Sequence, residues 1–142
     1  MKEREKYNLP GSGFFAYYLV FLQKKLMNKI YHLATCNTCQ AILKEVQAAK
    51  KGAELQDIKT EKITAPQIDE MKKLSGSYES LFSRRALKYR SMGLNEKQLT
   101  EKDYRKLILE EYTFLKRPVA IVDNQIFIGN TKAVVEQLKS AL

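Results

Sequence analysis

Lys29-Ile30-Tyr31-His32-Leu33-Ala34, running directly into Thr35-Cys36-Asn37-Thr38-Cys39, is the stretch that decides the fold. Its first six residues are short, apolar and partly β-branched or aromatic, which is the composition of a buried strand. Asn37 to Lys51 then reads as an amphipathic helix, with Ile42, Leu43, Val46 and Ala49 on one face and Gly52 ending it. Two cysteines spaced Cys-x-x-Cys therefore stand at the turn where a strand becomes a helix.

Outward from that turn, strand and helix signals keep alternating. Leu55 to Ile58 is a weak second strand, and Thr64-Ala65-Pro66 opens a helix to Leu74 with a Thr cap and a first-turn proline. Ser77 to Tyr89 is expected as further helix, stopped by Gly93. Thr100 to Leu109 starts on a Thr100–Asp103 capping pair. Val119 to Val122 and Gln125 to Ile128 flank Asp123-Asn124, a hairpin signal. Thr131 to Leu142 closes the chain as an amphipathic helix. The order βαβ, helical middle, ββα predicts an α/β sheet with one helical insertion.

Redox chemistry is the leading reading of Cys36 and Cys39, because Cys-x-x-Cys between a strand and a helix is more than a bare spacing match. Unpaired backbone N–H groups and the positive helix end would stabilise a Cys36 thiolate and lower its pKa. Cys39, one turn on, would be brought back toward Cys36 and resolve a mixed disulfide. Half a zinc site with His32 as third ligand, and two inert buried cysteines, are the alternatives. A structural zinc site wants four ligands, and no second Cys/His pair exists in the sequence.

The chain has 142 residues, 44% hydrophobic and 29% charged, with only 6 Gly and 3 Pro. That suits one globular domain and excludes disorder, collagen-like repeats and solenoids as whole-chain readings. Two cysteines are too few for a disulfide-scaffolded secreted domain, and the expected location is the cytoplasm. Residues 1–26 read differently from the rest. A charged start and the breaker-rich Asn8-Leu9-Pro10-Gly11-Ser12-Gly13 precede Phe14 to Leu22, nine apolar residues closed by Lys24 and Lys25. Nine residues rise about 14 Å as a helix, roughly half a bilayer core, so the segment cannot span alone. It lacks a small-x-small cleavage site. We read 1–26 as an N-terminal extension from an overlong gene start, in preference to a signal or membrane-proximal segment, and 27–142 as the domain. The full chain carries a net +9; without the extension's five bases and two acids the domain keeps +6. Such a balance favours acidic partners without naming one.

Lys116-Arg117-Pro118 precedes the third strand. A proline there belongs at an edge, a turn or a cis bond. With a cis bond, Arg117 would turn toward the Cys36 loop, lower the thiol's pKa and offer a bidentate clamp for an oxyanion. Arg84 and Arg85 would add a second cation, but adjacent residues on a helix face different ways, so at most one is expected at the site.

Together these pieces resemble the arsenate-reductase-like (ArsC/Spx) family. The strand–Cys-x-x-Cys–helix start, Leu81-Phe82-Ser83-Arg84-Arg85 leading to Tyr89-Arg90-Ser91-Met92-Gly93-Leu94, and Lys116-Arg117-Pro118-Val119 occur in the family's order, across about Asn28 to Leu142. The resemblance implies a thioredoxin-like fold with a helical insertion. It also implies a catalytic set of Cys36, Cys39 and Arg117, with Arg85 and Pro118 as binding residues. The departures matter for activity. Where arsenate reductases of this type carry Cys-x-x-Ser-Arg, this chain has Cys36, Cys39 and Gln40. Of three further arginines around the oxyanion, Arg117 matches one, Ser83 stands in the middle position, and the last falls near Gly129. Several fixed cations are needed to hold an arsenate dianion beside a thiolate, and at least two are missing.

The expected function is therefore a thiol-disulfide oxidoreductase with Cys36 as nucleophile and Cys39 as resolving thiol. It would need no resident cofactor or metal, would use glutathione as co-substrate, and would take electrons from glutaredoxin, thioredoxin or glutathione. The alternative, on the same resemblance, is an Spx-like redox sensor acting on RNA polymerase.

Overall fold

A computed structural model describes residues 27–142 and, before them, only Ala16; the expectations for 1–26 lie outside the described residues. Four strands form one mixed sheet: β1 (Lys29–His32), β2 (Glu54–Asp57), β3 (Val119–Val122) and β4 (Gln125–Ile128). Their order across the sheet is β2-β1-β3-β4. β1 and β2 run parallel with Ile30 opposite Leu55, whereas β1–β3 and β3–β4 are antiparallel. The α/β architecture expected from the alternating pattern is the one formed.

Period-two alternation along β1 and β3 divides the core into two halves. Ile30, Ala120 and Val122 face one layer, where helices α1 (Asn37–Glu45) and α5 (Lys132–Ala141) pack through Ile42, Leu43, Val135 and Leu138. Tyr31, Val119 and Ile121 face the other, filled by α2 (Ala65–Ser75), α4 (Glu101–Glu110) and the aromatic residues Phe82, Tyr104 and Phe114. Phe82 stacks on Phe114 at 5.0 Å between ring centroids and lies 4.9 Å from Tyr104.

Local chemistry sets the ends of the elements. Thr64 and Thr100 each close a capping box, the latter with Thr100 N–H donating to Asp103 Oδ2 at 2.8 Å. Thr100→Ala is expected to lower stability by about 1 kcal/mol, read as a shift in the urea midpoint at unchanged slope. Asp123 and Asn124 both adopt positive φ, 48° and 64°, as a two-residue primed hairpin turn requires.

Two expectations give way. The first helix stops at Glu45 rather than Lys51, because Gln47 turns to φ 55° and the chain leaves helical geometry. That turn buries Ala48 in place of the expected Ala49. The segment 77–89 is not one helix. A single 3₁₀ turn, Glu79–Leu81, gives way to extended backbone at Phe82 (ψ 129°), and a separate short helix α3 (Leu87–Ser91) follows. Phe82 forms an isolated bridge with Leu115, backed by Ser83 N–H donating to the Phe114 carbonyl (2.7 Å) and Lys116 N–H to that of Leu81 (2.8 Å). These bonds use up the backbone groups a continuous helix would have needed.

Candidate active site

Cys36 is the N-cap of α1, with φ −94° and ψ 110°, and its N–H donates to the Leu33 carbonyl at 3.0 Å. The thiol is half-buried, while Cys39 is fully buried one turn later, and both are free. Burial pushes the Cys36 thiol up. Hydrogen bonds from the Cys39 backbone and thiol, the charge of Arg117 and the Thr38 backbone outweigh it, so its pKa falls below the ordinary thiol value. Cys39 moves the opposite way, to about 11, through burial first and then its neighbour's hydrogen bond and charge, against a lowering contact from the Leu33 backbone. The two sulfurs are thereby unequal, with the ionisable one facing out.

Cys36 opens into a cavity of about 420 Å³, walled by Phe82, Leu115 and Ile128 and bordered by Arg84, Arg85, Lys116 and Arg117. Asn130 and Thr131, at the N-terminus of α5, complete its far side. The Arg117–Pro118 peptide is cis, and Arg117 donates to the Thr113 carbonyl at 3.3 Å. Pro118 is buried; its carbonyl accepts from Gly129 N–H at 2.9 Å, so it acts on the cavity through the backbone and is not part of its lining.

The structure brings both Arg84 and Arg85 to this cavity, against the expectation of one. That expectation assumed a helix; the extended Phe82 bridge instead pins the pair beside Lys116 and Arg117. Arg84 is held by Glu79 (2.7 Å) and the Tyr104 hydroxyl (3.1 Å). Ser83 and Gly129 also border the cavity, as their positions in the resemblance implied. Gln40 does not. Its Nε2 donates to the Leu33 carbonyl at 3.1 Å and lies 3.3 Å from His32 Nδ1, beneath the thiol loop. Because a carbonyl only accepts, Nε2 is fixed there, and its second hydrogen meets His32 Nδ1 as an acceptor. Lys116 is a lining cation that sequence reasoning did not single out, although it stands directly before Arg117 and Pro118. Thr131 is legible in the sequence as a helix start and not as a cavity wall.

Arg117→Ala is expected to raise the Cys36 pKa and slow its alkylation at pH 7 by about three- to tenfold, with Arg117→Lys recovering part of the rate. A pH profile of alkylation checks both. An unmoved inflection would show that Arg117 does not act on the thiol.

The sheet order, the cis-proline beside β3 and the Cys-x-x-Cys at the end of β1 define a thioredoxin-like fold with a helical insertion between β2 and β3. The ArsC family matches residues 31–138, and the chain belongs to that family. Among solved structures, a possible arsenate reductase from Streptococcus mutans UA159 is 24% identical with a TM-score of 0.65, covering 80% of this chain and 98% of that one. An arsenate reductase from Vibrio cholerae is 14% identical with a TM-score of 0.68, covering 82% and 98%. An arsenate reductase (ArsC) related protein from Brucella melitensis is 22% identical with a TM-score of 0.62, covering 78% and 92%. At these identities the likeness is one of fold. No curated protein matches the chain. Among the described residues no helix is long and apolar enough to cross a membrane, and no three His, Cys, Asp or Glu side chains gather as a metal site.

Proposed function

We propose that this protein is a thiol-disulfide oxidoreductase in which Cys36 is the nucleophile and Cys39 the resolving thiol. The observation that carries the reading is the placement of two free thiols one helical turn apart, Cys36 at the N-cap opening into a cation-bordered cavity and Cys39 fully buried behind it. Arg117 and local hydrogen bonds lower the first, and burial raises the second to about 11. A Cys36 thiolate attacks a substrate disulfide and expels one substrate thiolate, which takes up a proton. Cys39, losing its proton, then attacks Cys36 Sγ in the mixed disulfide and expels the second. The substrate gains two electrons and the protein keeps a Cys36–Cys39 disulfide, which a thiol reductant such as glutathione, glutaredoxin or thioredoxin reopens. A cavity of about 420 Å³ has the size of a small-molecule site rather than of a bare oxyanion.

Mild oxidation is expected to join Cys36 to Cys39 within one chain, with a loss of two hydrogens and no dimer. The potential should fall among catalytic disulfides, on the order of −300 to −180 mV. Persistent free thiols in an oxidising buffer would defeat the proposal.

A second reading uses the same disulfide as a signal, as in an Spx-like regulator. Cysteine at position 39 in place of serine, and glycine at 129 in place of arginine, favour it. Oxidation-dependent capture of RNA polymerase, without turnover on glutathione or thioredoxin, would select it.

A further inference from the structure

We propose that Arg84 to Met92, on the rim of the Cys36 cavity, is the docking surface for an acid-rimmed protein dithiol that reduces the Cys36–Cys39 disulfide. The inference rests on the thiol-disulfide reading above and adds the partner's surface to it. A single exposed leucine is ordinary; the surroundings of Leu87 are not. It is 91% exposed, Met92 is 48% exposed, and the helix that carries Leu87, α3, buries none of its residues. α3 meets the core through Tyr89, edge-on to Phe82 at 5.9 Å between ring centroids, so the outward side chains of Leu87 and Met92 are apolar contact area the fold leaves largely in water.

Charge chooses the partner. Arg84, Arg85, Lys88 and Arg90 fall within these nine residues, with no acid among them. Arg84 pairs with Glu79 and Lys88 with Glu111. Arg85 and Arg90 have no acidic partner among the described residues. Arg84 is also held by the Tyr104 hydroxyl, and the Glu111 side chain is only 18% exposed, so Arg85 and Arg90 are the cations this surface offers to a partner's carboxylates.

Geometry joins this surface to the thiol. Arg85 borders the cavity into which Cys36 opens, and Leu87 is two residues on, at most about 7 Å away between Cα atoms. A transient redox complex covers up to about 600 Å² on each partner, a patch of roughly 14 Å radius. One centred on the mouth of this cavity therefore takes in Arg85 and Leu87. Nucleic acid would use the cations but has no thiol to offer Cys36 and gains little from an apolar side chain, so a protein donor fits both features.

The exchange balances within the pair of proteins. A donor thiolate attacks Cys36 Sγ and breaks the Cys36–Cys39 bond; Cys39 leaves as a thiolate and takes a proton. The donor's second thiol loses its proton and attacks the mixed disulfide, releasing Cys36. Two electrons and two protons pass from the donor, which leaves as a disulfide.

The test uses the full-length oxidised chain with thioredoxin and glutaredoxin as protein donors and dithiothreitol as a small one. Leu87→Glu and Arg90→Glu should each lower the second-order rate of reduction by whichever protein donor works at least fivefold, with the dithiothreitol rate unchanged within twofold. Leu87→Met should restore the rate, and added salt should slow the protein donor alone. Leu87 is exposed at the first position of α3, where Glu suits the helix dipole, so folding is not at issue. Equal rates for wild type and both variants would overturn the docking surface and leave the thiol chemistry standing. So would reduction of the wild type by dithiothreitol but by neither protein, or loss of oligonucleotide binding in the variants with donor rates unchanged. Failure of the wild type to form the disulfide would instead remove the reading on which the surface rests.

Discussion

Cys39→Ser is expected to stop multiple turnover and leave the substrate's sulfur attached to Cys36. Cys36 reaches the cavity while Cys39 is completely buried one helical turn behind it. In the proposed mechanism the outer thiol attacks the substrate and the inner one attacks Cys36. A serine hydroxyl in the same position is too poor a nucleophile to release a mixed disulfide, so the adduct accumulates and is visible by intact mass. Cys36→Ser should form no adduct. The same asymmetry predicts which thiol a small alkylating agent finds. At pH 7 a thiol at about 11 is ionised to about one part in 10⁴, against about 3% for a thiol at about 8.5, so Cys39 should react about 300-fold more slowly than an ordinary cysteine. The sign for Cys36 is the reverse: with its folded pKa lowered, its rate stays high as pH falls through the ordinary thiol value and is lost only below its own inflection. If Cys39→Ser kept half the turnover with glutathione in excess, a monothiol route would carry the reaction and Cys39 would not be the resolving thiol.

Much of this site and its fold is legible in the sequence because the signals are local. The strand-to-helix passage into Cys36, the capping pairs at Thr64 and Thr100, and Asp123-Asn124 each state their conformation within a few residues and form as expected, save that β1 already ends at His32 and a turn at Ala34-Thr35 leads on to Cys36. Arg117–Pro118 is cis, one of the options that a proline before a strand leaves open. What stays hidden is long-range. Nothing in Ser77 to Tyr89 announces that Phe82 will pair with Leu115, 33 positions away in the chain, and that pairing moves two arginines to the cavity together. Gln40 is equally unreadable as a contact. The spacing puts it next to Cys39, while its direction is set by the Leu33 carbonyl and by His32 on the preceding strand.

Arsenate should be a poor substrate, at least about 100-fold slower than disulfide exchange under a full supply of glutathione and glutaredoxin, since one lost oxyanion donor costs about 10²–10³ in kcat. The four cations around the cavity do not repair the deficit. Arg84, Arg85 and Lys116 are exposed, Arg84 is engaged by Glu79, and Arg117 is the cation whose charge lowers the Cys36 pKa. Gln40 brings no charge and turns its amide away from the cavity toward Leu33 and His32. Gly129 holds φ at +92°, with open space where a Cβ would stand. The first carbon of an arginine there would meet no clash, but the residue would be forced into a backbone conformation that L-residues adopt at a cost of about 1–2 kcal/mol. An oxyanion beside Cys36 thus adds its charge to a thiolate with one half-buried guanidinium to offset both, whereas a disulfide brings no charge to the reacting sulfur. Steady-state rates on arsenate and on a small disulfide, measured with the same reductant, decide the matter. Arsenate turnover equal to disulfide turnover would mean that Arg85 and Lys116 swing inward when the anion binds, and would make this an arsenate reductase in activity as well as in fold.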